Sequence, residues 1–138
     1  MTDTQDIYKS AGIIIQDRKL LFTRAKDMEF FIDPGGKLEE GETAKQALVR
    51  ELKEELAIDV DAADLEFFGE YTAAAANHKG RTVHMQAFIV KKWKGAIKAS
   101  AEIEELRWLT SDLPTDIQVG SIFGGQVLPT LHAQGLVD

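Results

Sequence analysis

Apolar positions along this chain alternate in short bursts for most of its length and switch once to a clear helical repeat. Residues 8–16 contain the β-rich run Gly12-Ile13-Ile14-Ile15 and predict a strand. Asp17-Arg18-Lys19 predicts a turn, and residues 20–23 predict a second strand paired to the first. Phe30-Phe31-Ile32 is a third apolar run that stops at the breaker Asp33-Pro34-Gly35-Gly36. Residues 43–56, rich in Ala, Leu, Glu, Lys and Gln, predict the strongest helix. Further strands are expected at 65–71 and 82–93, joined through Asn77-His78-Lys79-Gly80, and at 103–109. Residues 119–135 open with Gly-rich spacing and end as an amphipathic helix through Val127, Leu128 and Leu131. Helices and strands mix without strict alternation or internal repeat. The expected fold is therefore α/β in the α+β sense, a sandwich of helices around a mixed sheet.

The 138 residues suit one domain, 1–138, with a core that needs no crosslink to fold. There is no cysteine, which excludes disulfide scaffolds, thiolate metal sites and a cysteine nucleophile. A net charge of −7 argues against a nucleic-acid polymer as partner but leaves a small phosphorylated ligand open. The polar start and the shortness of every apolar run predict no leader, no membrane partner and a cytoplasmic location.

Charge placement along the main helix carries the chemistry. At about 100° per residue, Glu51, Glu54 and Glu55 share roughly one 100° sector beside an apolar stripe of Leu48, Val49, Leu52 and Leu56. Ala44 and Ala47 lie on the carboxylate side, where small side chains are expected to leave room for something bulky. Like charges three and four apart repel, and their place near the helix C-terminus adds a second penalty. A hard divalent cation relieves both, and oxygen ligands with room for phosphate point to Mg²⁺, or Mn²⁺ in its place. Taken alone, such a cluster also fits a solvated face paired with Arg50 and Lys53.

The wider spacing discriminates. Gly36, five residues, Glu42, seven residues, then Arg50-Glu51-Leu52-x-Glu54-Glu55-x-x-Ile58 resembles the signature of the Nudix hydrolases over residues 36–58. The single departure is Ala57, where the family usually has glycine. That position ends the helix, so helix termination is affected rather than the chemistry. Phe31-Ile-Asp-Pro-Gly-Gly36 is similar to the family's lead-in. The resemblance implies metal-dependent hydrolysis of a nucleoside diphosphate linked to another group. It implies metal binding by Glu51, Glu54, Glu55 and the carbonyl of Gly36. Arg50 would fix a glutamate, Glu42 would anchor the loop or helix, and Gly35 would permit close backbone approach to substrate. Glu54 is the first candidate for the general base, then Glu51, with Glu102 a third. Arg24, at the end of the second strand, could reach substrate phosphate.

The remaining features fit a bland account. His78, His84 and His132 show no ligand spacing, Phe30, Trp93 and Trp108 read as core, and the acid-free stretch from 71 to 101 reads as a basic surface. The expected reaction is a (deoxy)nucleoside triphosphate going to monophosphate plus pyrophosphate, with a small nucleotide as the substrate. ADP-ribose, nucleotide sugars and dinucleoside polyphosphates are alternative substrates, and a non-catalytic nucleotide sensor is the alternative of another class. The resemblance also leaves a homodimer open, because members are often dimers.

Overall fold

The structure is a computed structural model that describes residues 6–74 and 80–138. Its central sheet runs in the order β5-β1-β7-β6, with β1 Ile7–Ile13, β5 Gly35–Lys37, β6 Leu65–Ala74 and β7 Thr82–Val90. β1 and β7 are parallel while the other neighbours are antiparallel, so the sheet is mixed as expected. A second, antiparallel sheet joins β2 Ile15–Gln16, β3 Lys19–Ala25 and β8 Ile103–Leu109. β4 Phe30–Phe31 and β9 Gln118–Val119 form a short parallel pair. The join expected at Asn77-His78-Lys79 lies outside the described residues.

The expected hairpin forms, but it is short. Asp17 and Arg18 both take positive φ, as a tight two-residue turn requires, and pairing covers Ile15 with Leu20 and Gln16 with Lys19. Beyond that the partners diverge, because β1 is already flanked by β5 and β7 while β3 pairs along its length with β8. The first strand thus bridges the two sheets instead of lying beside the second.

Alternation along the strands divides the core. Ala11, Ile13, Leu20 and Phe22 face one side, where they meet Phe123, Val127, Leu128 and Leu131. These last four belong to a wide π-helical turn, Phe123–Val127, and the helix α2, Leu128–Ala133, that follows it. Ile14, Leu21, Phe88 and Val90 face the other side, against Leu48, Leu52 and Leu56 of α1, Ala44–Leu56. The apolar stripe read from the helical repeat is therefore the packing face of α1.

Both ends of α1 are specified locally. The Thr43 hydroxyl accepts from Gln46 N–H at 3.1 Å, and the Gln46 side chain accepts from Thr43 N–H at 2.9 Å, a complete capping box. At the far end Ala57 takes φ 58°, ψ 32°, the left-handed conformation, and its N–H bonds to the Lys53 carbonyl.

Candidate active site

The turn at β5 and one face of α1 build the site together. β5 lies antiparallel to β1, with Ala11 opposite Gly35 and Ser10 opposite Gly36. Gly35 has φ +138°, and a Cβ there would collide with the Ser10 carbonyl. A Cβ on Gly36 would overlap the Glu51 carboxylate instead. Gly35 thus serves the backbone, while Gly36 makes space for a functional side chain. The Gly35 N–H also donates to Glu55 Oε1 at 3.1 Å, tying the turn directly to the helix.

Arg50 organises the N-terminal part of the cluster. Its Nε and Nη2 donate to the two carboxylate oxygens of Glu42 at 2.8 and 3.0 Å, a bidentate pair. Nη2 also donates to the Lys37 carbonyl at 3.3 Å. Nη1 donates to Glu51 Oε2 at 3.2 Å and lies 3.6 Å from Glu54 Oε2. The Arg50 hydrogen bond, followed by the Glu39 N–H, holds the Glu42 carboxyl down at about 2. Arg50 is raised in turn, mainly by its bond to Glu42. Arg50 thus bonds Glu51 on one side and is itself held by Glu42 on the other.

Glu55 sits in the opposite electrostatic state. It is 7% exposed, and burial pushes its carboxyl up to about 8 against the help of the Gly35 N–H. Glu51, Asp33 and Glu102 add repulsion. Glu51 is raised as well, first by burial and then by Glu54 and Glu102 despite Arg50. Glu102 therefore lies within electrostatic reach of both. Glu54 is about half exposed and lies 3.6 Å from the Arg50 guanidinium.

This donor set fits a hard divalent cation. It is made of oxygens alone, and burial with neighbouring acids raises the proton affinity of Glu55 and Glu51, a cost a cation removes. Among the described residues no three acidic or histidine side chains stand ready-grouped around one point, and the positive group among them is Arg50.

Other expected residues fall elsewhere. Arg24 bonds Glu105 at 3.2–3.3 Å, Glu104 at 3.4 Å and the Met28 carbonyl at 3.0 Å. It lines a cleft of about 400 Å³ with Arg107 and Asp116 that no residue of 36–58 enters. Ala44 and Ala47 are buried, at 9% and 0% exposure. Their small side chains admit close approach of α1 to β1 and β5 and leave no open floor for a ligand. His84 stacks on Tyr8 and bonds Asp6 at 2.9 Å, and His132 bonds the Val137 carbonyl, so neither enters the site. Trp93 and Trp108 pack against the α1 core as expected, but Phe30 does not: it is 44% exposed on the wall of an open cavity.

Sequence reasoning missed Asp33, treating it as part of a breaker. It is 4% exposed, adjoins that cavity and contributes to the field on Glu55. The available signal was an acid directly continuing the apolar run Phe30-Phe31-Ile32.

Comparisons with known proteins agree with this geometry. Residues 7–126 match the NUDIX domain. An 8-oxo-dGTP diphosphatase of Proteus vulgaris is 32% identical over 102 residues, covering 70% of this chain and 87% of that protein. A CTP pyrophosphohydrolase of Escherichia coli strain K12 is 34% identical over 107 residues, 74% of each chain. Among solved structures, the E. coli ORF135 protein superposes with a TM-score of 0.74 at 26% identity, over 98% of this chain and 96% of that one.

Proposed function

The chain belongs to the Nudix family as a MutT-like pyrophosphohydrolase, and from there we propose that it hydrolyses a nucleoside triphosphate to the monophosphate and pyrophosphate with Mg²⁺ or Mn²⁺. We read residues 1–138 as one such domain. The carrying observation is Glu55: a carboxylate buried beside Glu51 at a glycine turn, with no cation at ion-pair distance among the described residues.

Glu51, Glu54, Glu55 and the Gly36 carbonyl would hold the metal. When bound, a divalent cation offsets phosphate charge and lowers the proton affinity of water. The protein's part is then positional. The Gly35 N–H aims Glu55, and Arg50 aims Glu51 while Glu42 holds Arg50. Glu54, solvent-facing and loosely held, takes the proton from the attacking water. The water oxygen joins one phosphorus in line, one bridging P–O bond breaks, and pyrophosphate departs. Glu51 is the next candidate for base, then Glu102. For Arg24 to touch a phosphate it must give up Glu104 and Glu105.

A panel of canonical and oxidised nucleoside triphosphates, ADP-ribose, diadenosine polyphosphates and UDP-glucose, assayed with and without Mg²⁺, tests this reading. Release of pyrophosphate from a triphosphate only when metal is present is the expected result. Silence on all triphosphates with Mg²⁺ and with Mn²⁺ would overturn it.

A further inference from the structure

Val49, Arg50 and Lys53 of α1 border a groove of about 750 Å³, larger than either cavity described above. The rest of its lining comes from the chain that leaves α1, between Ile58 and Asp64, and from Lys92, Trp93 and Lys94 after β7. Neither Glu51, Glu54 nor Glu55 lines it, so a partner seated there leaves the carboxylate face of α1 open.

Charge in the groove is sorted into two rows. The two segments run antiparallel where they meet: Asp59 N–H donates to the Lys94 carbonyl at 3.0 Å, and Lys94 N–H donates to the Asp59 carbonyl at 2.9 Å. Asp59 and Asp61 therefore lie along one segment, and Lys92 and Lys94 along its neighbour. The rows do not satisfy each other. Asp59 bonds Lys53 at 3.0 Å, a pair whose side chains are 66% and 60% exposed and so gains little from being made. Asp61 accepts from Ala63 N–H, and Lys92 and Lys94 have no side-chain partner among the described residues. The apolar lining is Val49, Ile58, Val60 and Trp93, of which Val49 and Trp93 stay partly exposed. Apolar surface with a tryptophan, surrounded by charges of both signs, is the anatomy of a protein–protein contact.

The partner must present both signs as well. A polyanion would meet the acid row, and a purely basic surface would meet the lysine row. A chain of net charge −7 repels its own copies, so a face through which it self-associates has to supply cations locally. This groove does so, with four cations against three carboxylates among the described residues. Its rows also match a second copy of themselves. A two-fold axis that runs between the rows and parallel to them lays each acid row over the lysine row of the other copy. An axis across the rows would set like over like, and repulsion disfavours it.

We propose that this groove is the interface of a two-fold symmetric homodimer. Asp59 and Asp61 of each copy face Lys94 and Lys92 of the other, around the exposed parts of Val49 and Trp93. The rows set orientation and register, while burial of the apolar surface supplies most of the affinity. The inference does not depend on the reaction proposed above, and hydrolysis without dimers, or dimers without hydrolysis, would separate the two.

Sedimentation velocity across roughly a hundredfold range of concentration is the test. The wild-type chain should pass from monomer to dimer with a dissociation constant on the order of micromolar, as for a small interface. Lys92→Glu with Lys94→Glu, and separately Asp59→Lys with Asp61→Lys, should each weaken association by at least about tenfold, because each sets like charges face to face. An equal mixture of the two folded variants should recover the dimer, since only the mixed pair restores opposite rows. Asp59→Asn with Asp61→Asn keeps an oxygen for the Ala63 N–H and should give an intermediate loss. Melting of dilute samples confirms that each variant is folded. A wild-type chain that stays monomeric throughout would overturn the proposal. So would a reversed variant that associates like wild type, or a mixture of folded variants that fails to pair.

Discussion

Glu42 and Glu55 are the same residue in one motif, yet the fold puts them in opposite states. Glu42 faces a bidentate arginine and is held near 2; Glu55 is buried against other acids and is pushed to about 8. The first is a finished ion pair, and its charge already has a partner. The second is an unfinished one, and its cost is removed only by protonation or by a cation from outside. On the function proposed above, the difference separates a residue that would hold the site from one that would work in it. The sharpest way to break the comparison is to neutralise each glutamate and compare the losses. Glu55→Gln keeps an oxygen for the Gly35 N–H but removes the charge, so metal-dependent activity should fall by a hundredfold or more, on the order of what a group acting at the reacting centre supplies. Retention of wild-type kcat in that variant would remove Glu55 from the site.

The next effect is on stability, and its sign follows from the raised Glu55 carboxyl. The unfolded chain releases that proton near 4.5 and the folded one near 8, so between these values the folded state binds more protons. The metal-free protein should therefore be most favoured by this group below about pH 4.5 and lose its contribution as pH rises to about 8. The raised Glu51 adds to the same trend. The loss should amount to a few kcal/mol at most, and Glu55→Gln should flatten the curve. Denaturant titrations of the metal-free chain at pH 5, 6.5 and 8 measure it. A flat wild-type profile would mean that Glu55 is better solvated than its surroundings indicate. Mg²⁺ should restore stability most at the alkaline end, because binding displaces the proton.

Glu42→Gln is the milder counterpart. It frees Arg50 while leaving Glu51, Glu54 and Glu55 unchanged, and kcat/KM should drop by about tenfold, as for the loss of a group that orients another. The pH sign is reversed: the depressed carboxyl stabilises above about 4.5, and that contribution fades as pH falls towards 2. A steady-state assay beside Glu55→Gln ranks the two. Equal losses would erase the distinction between anchoring and acting.

The parts of the molecule legible in the sequence are those encoded locally. The helix beginning at Thr43, the stripe of Leu48, Leu52 and Leu56, and the turn at Gly35-Gly36 all depend on spacings of a few residues, and each appears where its spacing places it. The resemblance singled out Arg50 and Glu42 separately, and the structure pairs them with each other. What stayed hidden needs contacts far apart in sequence. Ala47 looked like open floor because a helical wheel does not show how closely a sheet approaches. The first strand looked like half of a hairpin because β5 and β7, which claim it, lie downstream. Phe30 looked like core, and Asp33 like punctuation, because the cavity between them is walled by β1, β7 and the approach to the π-helical turn, which no local pattern connects.

The smallest expected effect tests the motif's single departure. Ala57 holds φ 58° at the end of α1, a conformation in which its Cβ crowds the backbone, whereas glycine adopts it without that penalty. The cap cannot relax by simply unwinding, since its N–H bonds Lys53 O while Lys98 and Ser100 N–H hold the last helical carbonyls of Leu56 and Glu55. Ala57→Gly should therefore stabilise the chain by about 1 kcal/mol, less the entropy that glycine returns to the unfolded state. For a chain of this length that corresponds to a rise in Tm of roughly 3–5 °C. Activity should be unchanged, because the carbonyl positions around Glu55 are fixed from the 98–100 segment and not by the residue at 57. A Tm that fell would show that the left-handed cap is not maintained in solution. A changed kcat with an unchanged Tm would show that helix termination tunes Glu55, linking the finished end of the site to the unfinished one.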